Sequence, residues 1–188
     1  RCRYCRAPVS IQYPVVELLT ASAFILCLLS KGPGMGSAIM CMFSGILITA
    51  AFIDARHMYI PDGIHVLILL LSCISLAAGS APSLMNRLGG SLLTGGFLAL
   101  VNLLSRGGVG WGDVKLFAAS GLLIGAAPAM TALLMGYVTA GLWYAVPLLR
   151  GRVGRKTQIP MAPFFAVSLM ICGLWFRQLL LWYLGFFR

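Results

Sequence analysis

Apolar residues come in long runs along this chain, at 15–30, 36–53, 63–79, 88–104, 114–127, 130–149 and 162–183, and few folds accept that pattern. A helix needs ~20 mostly apolar residues to cross the hydrocarbon core of a bilayer, and most of these runs approach that length. Sixty per cent of the residues are hydrophobic and ten per cent charged, against about a quarter charged in a soluble domain. No soluble core can be built from the remainder. The glycine pairs Gly89-Gly90 and Gly95-Gly96 fit helices packed closely in lipid. The first and fifth runs are short, and the last contains Arg177. The expected fold is all-α, a polytopic transmembrane helical bundle of about seven spans. Residues 1–13 form a tail and 14–188 the membrane domain.

Positive charges, which played no part in drawing the spans, give the orientation. Seven crossings place the N-terminus and the loops near 54–62, 105–113 and 150–161 on one side. Ten cations fall there: Arg1, Arg3, Arg6, Arg56, Arg106, Lys115, Arg150, Arg152, Arg155 and Lys156. The opposite side holds three, Lys31, Arg87 and Arg188. Lysine and arginine accumulate in cytoplasmic loops, so the ten-residue side is expected to face the cytoplasm. The net charge of +10 is then a topology signal and an attraction to anionic lipid. Nucleic acid is not an expected partner, because the charge is spread over four segments. The chain opens at Arg1 with neither methionine nor a signal-peptide pattern, and reads as a fragment or processed form.

Only four acidic residues occur: Glu17, Asp54, Asp62 and Asp113. An ionisable group at mid-bilayer costs roughly 2.5–3.5 kcal/mol or more, so acids at span boundaries call for a reason. Asp54 closes the second run and Asp113 opens the fifth, both on the cation-rich side. Two carboxyl groups brought together share a proton, and such a dyad can activate water with one member while the other protonates a carbonyl. The helix dipoles favour the anion on Asp113, at an N-terminus, over Asp54, near a C-terminus. Lys115 stands two residues from Asp113. Gly110 and Gly112 give the turn before Asp113 its conformational freedom and leave room for a peptide. The structural alternatives are a helix-end marker for Asp54 and an N-cap for Asp113.

Asp62, after Pro61, reads as an N-cap of the third span. His57 and His65 have no cluster around them and read as interfacial packing. Glu17 falls in the first turn of the first span, where an acid suits the dipole. A substrate-facing role is also open to it, on the same side as the dyad. Cys2 and Cys5 form one Cys-x-x-Cys knuckle, whereas a structural zinc wants four ligands. The knuckle is half a zinc site, a redox pair or free. Cys27, Cys41, Cys73 and Cys172 lie inside apolar runs and read as small core residues.

Taken together, these residues resemble the type IV prepilin peptidases, membrane aspartyl proteases of the Gly-x-Gly-Asp type. Cys2-Arg3-Tyr4-Cys5, Ser10-Ile11, Tyr13-Pro14 and Glu17-Leu18 resemble that family's second Cys-x-x-Cys and the entry to its next span. Asp54 with Ile60-Pro61-Asp62 is similar to its first catalytic motif, and Gly110-Trp111-Gly112-Asp113-Val114-Lys115 to its second. Ile159-Pro160-Met161-Ala162-Pro163-Phe164 resembles the Ile-Pro-Phe-Gly-Pro segment that leads into the last span, with Met161-Ala162 where Phe-Gly is usual.

The resemblance implies a bacterial inner-membrane endopeptidase with Asp54 and Asp113 as catalytic residues and no cofactor required for proteolysis. The implied substrates are type IV prepilins or type II secretion pseudopilins, cut on the cytoplasmic side after the glycine that ends a basic leader. It also implies S-adenosylmethionine-dependent methylation of the new N-terminus and a structural zinc, both tied to the N-terminal part. The first transmembrane segment and first Cys-x-x-Cys of bacterial members have no counterpart in these residues.

The competing reading from another class is a proton- or cation-coupled transporter using the same two aspartates. Inverted repeats with broken helices would support it, and the sequence shows no internal repeat. A protease for archaeal preflagellins or other membrane peptides is a nearer alternative, against which the Cys-x-x-Cys knuckle speaks. A non-catalytic scaffold leaves the paired aspartates unexplained.

Overall fold

A computed structural model describes residues 10–80, 82–150 and 159–186. Among these residues there are seven helices and no strand. They are α1 (Gln12–Lys31), α2 (Met35–His57), α3 (Asp62–Ala77), α4 (Leu84–Leu104), α5 (Trp111–Ile124), α6 (Ala126–Leu149) and α7 (Ala162–Phe186). Each apolar run has become one helix, and the architecture is that of a polytopic helical membrane protein. Helices α1, α2, α4, α6 and α7 are long and apolar enough to cross a bilayer.

Helices α3 and α5 are shorter, with 16 and 14 residues. At 1.5 Å per residue they rise about 24 and 21 Å, less than the ~30 Å hydrocarbon core. Helix α5 meets this by being enclosed: α3, α4, α6 and α7 all pack against it. Its Leu116, Phe117, Ala119 and Leu123 are buried in the main core, where Phe117 meets Phe165 of α7 edge to face at 4.9 Å between ring centroids.

The glycines of α4 set how closely α5 is held. A Cβ on Gly90 would stand 2.5 Å from the Gly121 carbonyl oxygen, and one on Gly121 would stand 2.5 Å from the Gly90 carbonyl. A Cβ on Gly95 would fall 2.7 Å from the Ala118 methyl. The two backbones therefore touch with nothing between them, as small residues allow in lipid. Between these contacts the Thr94 hydroxyl reaches both its own helix at Gly90 and the Phe117 carbonyl of α5, at 2.7 and 2.9 Å. Of the glycine pairs expected to pack, one member of each does so; Gly96 has open space beside it.

Helix ends depart from the apolar runs wherever a polar residue is buried against a neighbour. Helix α4 starts at Leu84, ahead of the run at 88, and draws Arg87 into its first turn. The arginine is buried and donates to the Pro82, Ser80 and Leu122 carbonyls at 2.9, 2.9 and 3.1 Å and to Ser75 Oγ at 2.8 Å. No described carboxylate pairs with it. Its partners are instead the Ser75 hydroxyl in the last turn of α3, carbonyls of the connection that follows it, and the Leu122 carbonyl near the C-terminal end of α5, where backbone acceptors are unsatisfied and the dipole is negative. Arg87 thus gathers one end of the bundle, while α2, α3, α5 and α7 meet at the other. Replacing Arg87 with Met strands several buried acceptors, each worth about 1–3 kcal/mol. Thermal unfolding in detergent should show a loss of about 3 kcal/mol or more. Arg87→Lys should recover little of it, since an ammonium has fewer donors and no fork.

Candidate active site

Asp54 lies in the last turn of α2 and is the one buried carboxyl among the described residues, 7% exposed. Helix α2 runs past it to His57 and stops at Met58, whose φ of 53° is left-handed. The Asp54 Oδ2 accepts the backbone N–H of Ala162 at 2.9 Å, with the Met161 amide alongside. Ala162 opens α7, and the first amides of a helix have no acceptor of their own. Pro163, next in line, has none to offer. Asp54 therefore closes the start of α7 from another helix, and the positive end of α7 faces its carboxylate.

Asp113 occupies the third position of α5. The N-cap position, the structural alternative for it, belongs to Gly110. Its carboxyl group is half-buried and lies within electrostatic reach of Asp54. Tyr137 of α6 is within electrostatic reach of Asp113 too and packs edge to face on Phe165 at 5.1 Å. The glycines before Asp113 have separate tasks. A Cβ on Gly110 would sit 3.4 Å from Asp113 Oδ2, and one on Gly112 would sit 3.3 Å from Ile60 Cβ. Gly110 keeps the approach to the carboxylate open, and Gly112 lets the turn lie against the α2–α3 connection.

Two residues read as ordinary from the sequence turn out to belong here. Asp62 is not an N-cap: Pro61 holds that position, and the Asp62 carboxylate pairs with Lys115 Nζ at 2.6 Å. Lys115 is thereby turned toward α3. His65, one turn further along α3, is buried and bonds the Gly112 carbonyl through Nε2 at 3.0 Å. The i, i+3 spacing of Asp62 and His65 placed both on one helix face, a signal that was readable. Asn102 of α4, oriented as its neighbours require, donates to the Val109 carbonyl at 2.8 Å and accepts from Trp111 Nε1 at 3.2 Å. Nothing in the sequence marked Asn102, Tyr137 or the Ala162 amide.

Glu17 is exposed in the second turn of α1, not the first, because that helix begins at Gln12. It makes no hydrogen bond or ion pair with a described residue. Gln12 and Val16 beside it line a cavity of about 250 Å³ with Phe52, Ile53 and Arg56, which puts Glu17 at the level of the Asp54 end of α2. Cys2 and Cys5 lie outside the described residues. Among those described, no three potential metal ligands cluster. Cys27 and Cys172 are buried, as expected of small core residues, whereas Cys73 is exposed.

The family model for the type IV leader peptidase family matches residues 41–145, the stretch that contains both aspartates. The chain belongs to that family. A model for the bacterial peptidase A24 N-terminal domain matches residues 1–31. A prepilin leader peptidase/N-methyltransferase of Aeromonas hydrophila is 33% identical over 98% of this chain and 65% of its own length. One of the same name from Bacillus subtilis is 28% identical over 98% of the chain and 74% of its own length. A type 4 prepilin-like proteins leader peptide-processing enzyme of Escherichia coli is 37% identical over 89% of the chain and 63% of its own length. The chain thus spans somewhat less than two thirds of the Aeromonas relative. No solved structure matches it. Membership of a leader peptidase family gives the transporter reading no support.

In this member of the family the Asp62–Lys115 pair bridges α3 and α5 in the open, with side chains 76% and 52% exposed. Water screens such a pair. A double-mutant cycle of Asp62→Asn and Lys115→Met, read by thermal unfolding, should find the two substitutions additive, with no resolvable coupling.

Proposed function

We propose that this chain is a membrane aspartyl endopeptidase that removes the basic leader of type IV prepilins or of pseudopilins. What carries the reading is the convergence of Asp54 and Asp113 from separate helices in a chain with almost no other acids. Both aspartates lie at the bundle end that carries Arg56, Arg106, Lys115 and Arg150, the end the positive-inside rule assigns to the cytoplasm. A substrate helix held in the same membrane would present the junction between leader and apolar segment at that depth. Cleavage follows the glycine that ends the leader. The protein belongs in the bacterial inner membrane with its active site toward the cytoplasm.

The roles within the dyad follow from its hydrogen bonds. Asp54 receives the Ala162 amide and faces the start of α7, and a donor of that kind favours the ionised form. Asp54 is then the base that takes a proton from the attacking water. Asp113, which accepts no amide from a described residue, is the acid that protonates the scissile carbonyl; as the gem-diol collapses it takes that proton back, while Asp54 passes the proton it took from water to the leaving amine. This reverses the assignment drawn from each aspartate's own helix. The pair still titrates as one unit. Gly110 and Gly112 leave room beside Asp113 for the substrate backbone, and Glu17, exposed at the same level, suits a basic leader. The relatives' names add N-methyltransferase activity, for which S-adenosylmethionine is the methyl donor. Cys2 and Cys5 would belong to that N-terminal part as half of a zinc site, and no step of the proteolysis runs through either group.

Cleavage of a prepilin-like substrate by the purified protein in lipid tests the reading. Wild type should cut after the leader glycine, and Asp54→Asn and Asp113→Asn should each lose at least about a thousandfold while keeping the wild-type melting temperature. A cut elsewhere, or near-normal activity in either variant, would sink the assignment. A methyl-group gain on the product, seen by mass spectrometry only with added S-adenosylmethionine, would establish the second activity.

The role of the α7 amide has its own test. Proline is accepted at the first position of a helix, so Ala162→Pro removes the N–H donated to Asp54, and the ring carbon that replaces the hydrogen pushes the carboxylate away from the α7 amide. A lost hydrogen bond to a charged group is worth about 1.5–3 kcal/mol, so kcat should fall on the order of ten- to a hundredfold. Unchanged kcat would show that the amide does not tune the base.

A further inference from the structure

The aspartate turn is rich in glycine and is held from within by backbone bonds and one serine, Gly108 N–H to Ser105 Oγ at 3.0 Å and Asp113 N–H to Gly110 O at 3.1 Å among them. Gly107, Gly108, Gly110 and Gly112 fall within six residues of one another just before Asp113, and glycine leaves the backbone free to move. A reacting carboxyl group must be held to a fraction of an ångström, so something outside the turn has to add to these bonds. Asn102 grips the turn upstream, at Val109 and Trp111. At the peptide joining Gly112 to Asp113, the side chain that bonds the carbonyl is His65.

His65 is 5% exposed, and its Nε2 lies 3.0 Å from the Gly112 carbonyl oxygen. A carbonyl only accepts, so Nε2 must carry the hydrogen, and a helical carbonyl has a second lone pair to receive it. On the other edge of the ring, Nδ1 lies 3.5 Å from Asp62 Oδ1 and has no hydrogen-bond partner. That same Oδ1 accepts from Lys115 Nζ. Asp62 and His65 stand on α3, Gly112 and Lys115 on α5, and Asp113 lies between the two α5 contacts in sequence. The four residues close a two-rung clamp around the catalytic position, one rung buried and one exposed.

We propose that His65 is a positioning residue for the reaction: its Nε2–H, donated to the Gly112 carbonyl, fixes the peptide that precedes Asp113 and so sets where that carboxyl group points. A histidine that merely filled space would need no directed donor, and leucine would serve as well. The inference rests on the peptidase reading above, and its test keeps the two apart.

Wild type, His65→Leu and His65→Gln are compared in lipid with a prepilin-like substrate. Leucine keeps the bulk and loses the donor; glutamine offers an amide N–H at a similar reach. His65→Leu should lower kcat on the order of tenfold with KM within about twofold and the melting temperature held. His65→Gln should regain most of the lost rate. Equal rates for wild type and His65→Leu, or no recovery with glutamine, would overturn the proposal. So would a fall in kcat that only follows a fall in melting temperature, the mark of a purely structural contact.

A second readout needs no substrate. The chain has two histidines, so ¹⁵N-labelled histidine gives two imidazole signals, and His57→Asn assigns them. The Nε2–H tautomer at His65 supports the clamp, and the Nδ1–H tautomer overturns it. Wild type that leaves the substrate uncut would sink the peptidase reading and the catalytic purpose given to His65, even with the Nε2–H tautomer in place.

Discussion

Lipid offers no hydrogen bonds, so a charged group buried in this bundle has to find its partners in the protein, and the solution is the same at both ends. Arg87 is set among carbonyls just after α3 and near the end of α5, and Asp54 is set on the amides that begin α7. A cation meets helix C-termini and an anion meets a helix N-terminus, so each buried charge is neutralised by backbone dipoles instead of by an opposite charge. Few acids are then needed to balance the buried cation. The carboxyl groups that remain are free for chemistry.

The position of α5 links the two ends. Its C-terminal carbonyls are held by Arg87, its middle lies against bare backbone of α4 at Gly90 and Gly95, and its first turn is clamped to α3. A helix too short to span the hydrocarbon core can be kept there because its neighbours enclose it. Helix α6, by contrast, has 24 residues against 14 in α5, and its Tyr137 comes within electrostatic reach of Asp113.

How much could be read beforehand depended on whether the determining interaction was local. Hydropathy is a property of neighbours in sequence, so seven apolar runs became seven helices. The scarcity of acids was equally legible and picked out Asp54 and Asp113. Ends were misplaced where burial depends on another helix: Arg87 looked like a loop cation because its acceptors come from residues 75 to 123. The ionisation order proposed here departs from the one read from the sequence for the same reason. The dipole of α2 was counted for Asp54, and the dipole of α7, 108 residues away in sequence but bonded to its carboxylate, was not.

His65 shows the boundary most clearly. Its spacing from Asp62 put both on one face of α3, yet that face acquires meaning only when Gly112 and Lys115 are laid against it. Glycine in the aspartate turn creates the demand for such a brace: the absent side chains that admit a substrate backbone also remove the contacts that would hold the turn still. An open approach and a fixed carboxyl group are therefore supplied by different helices, the first by α5 and the second by α3 and α4. That division lets one turn be both accessible and rigid, and neither property could be assigned from the turn's own residues.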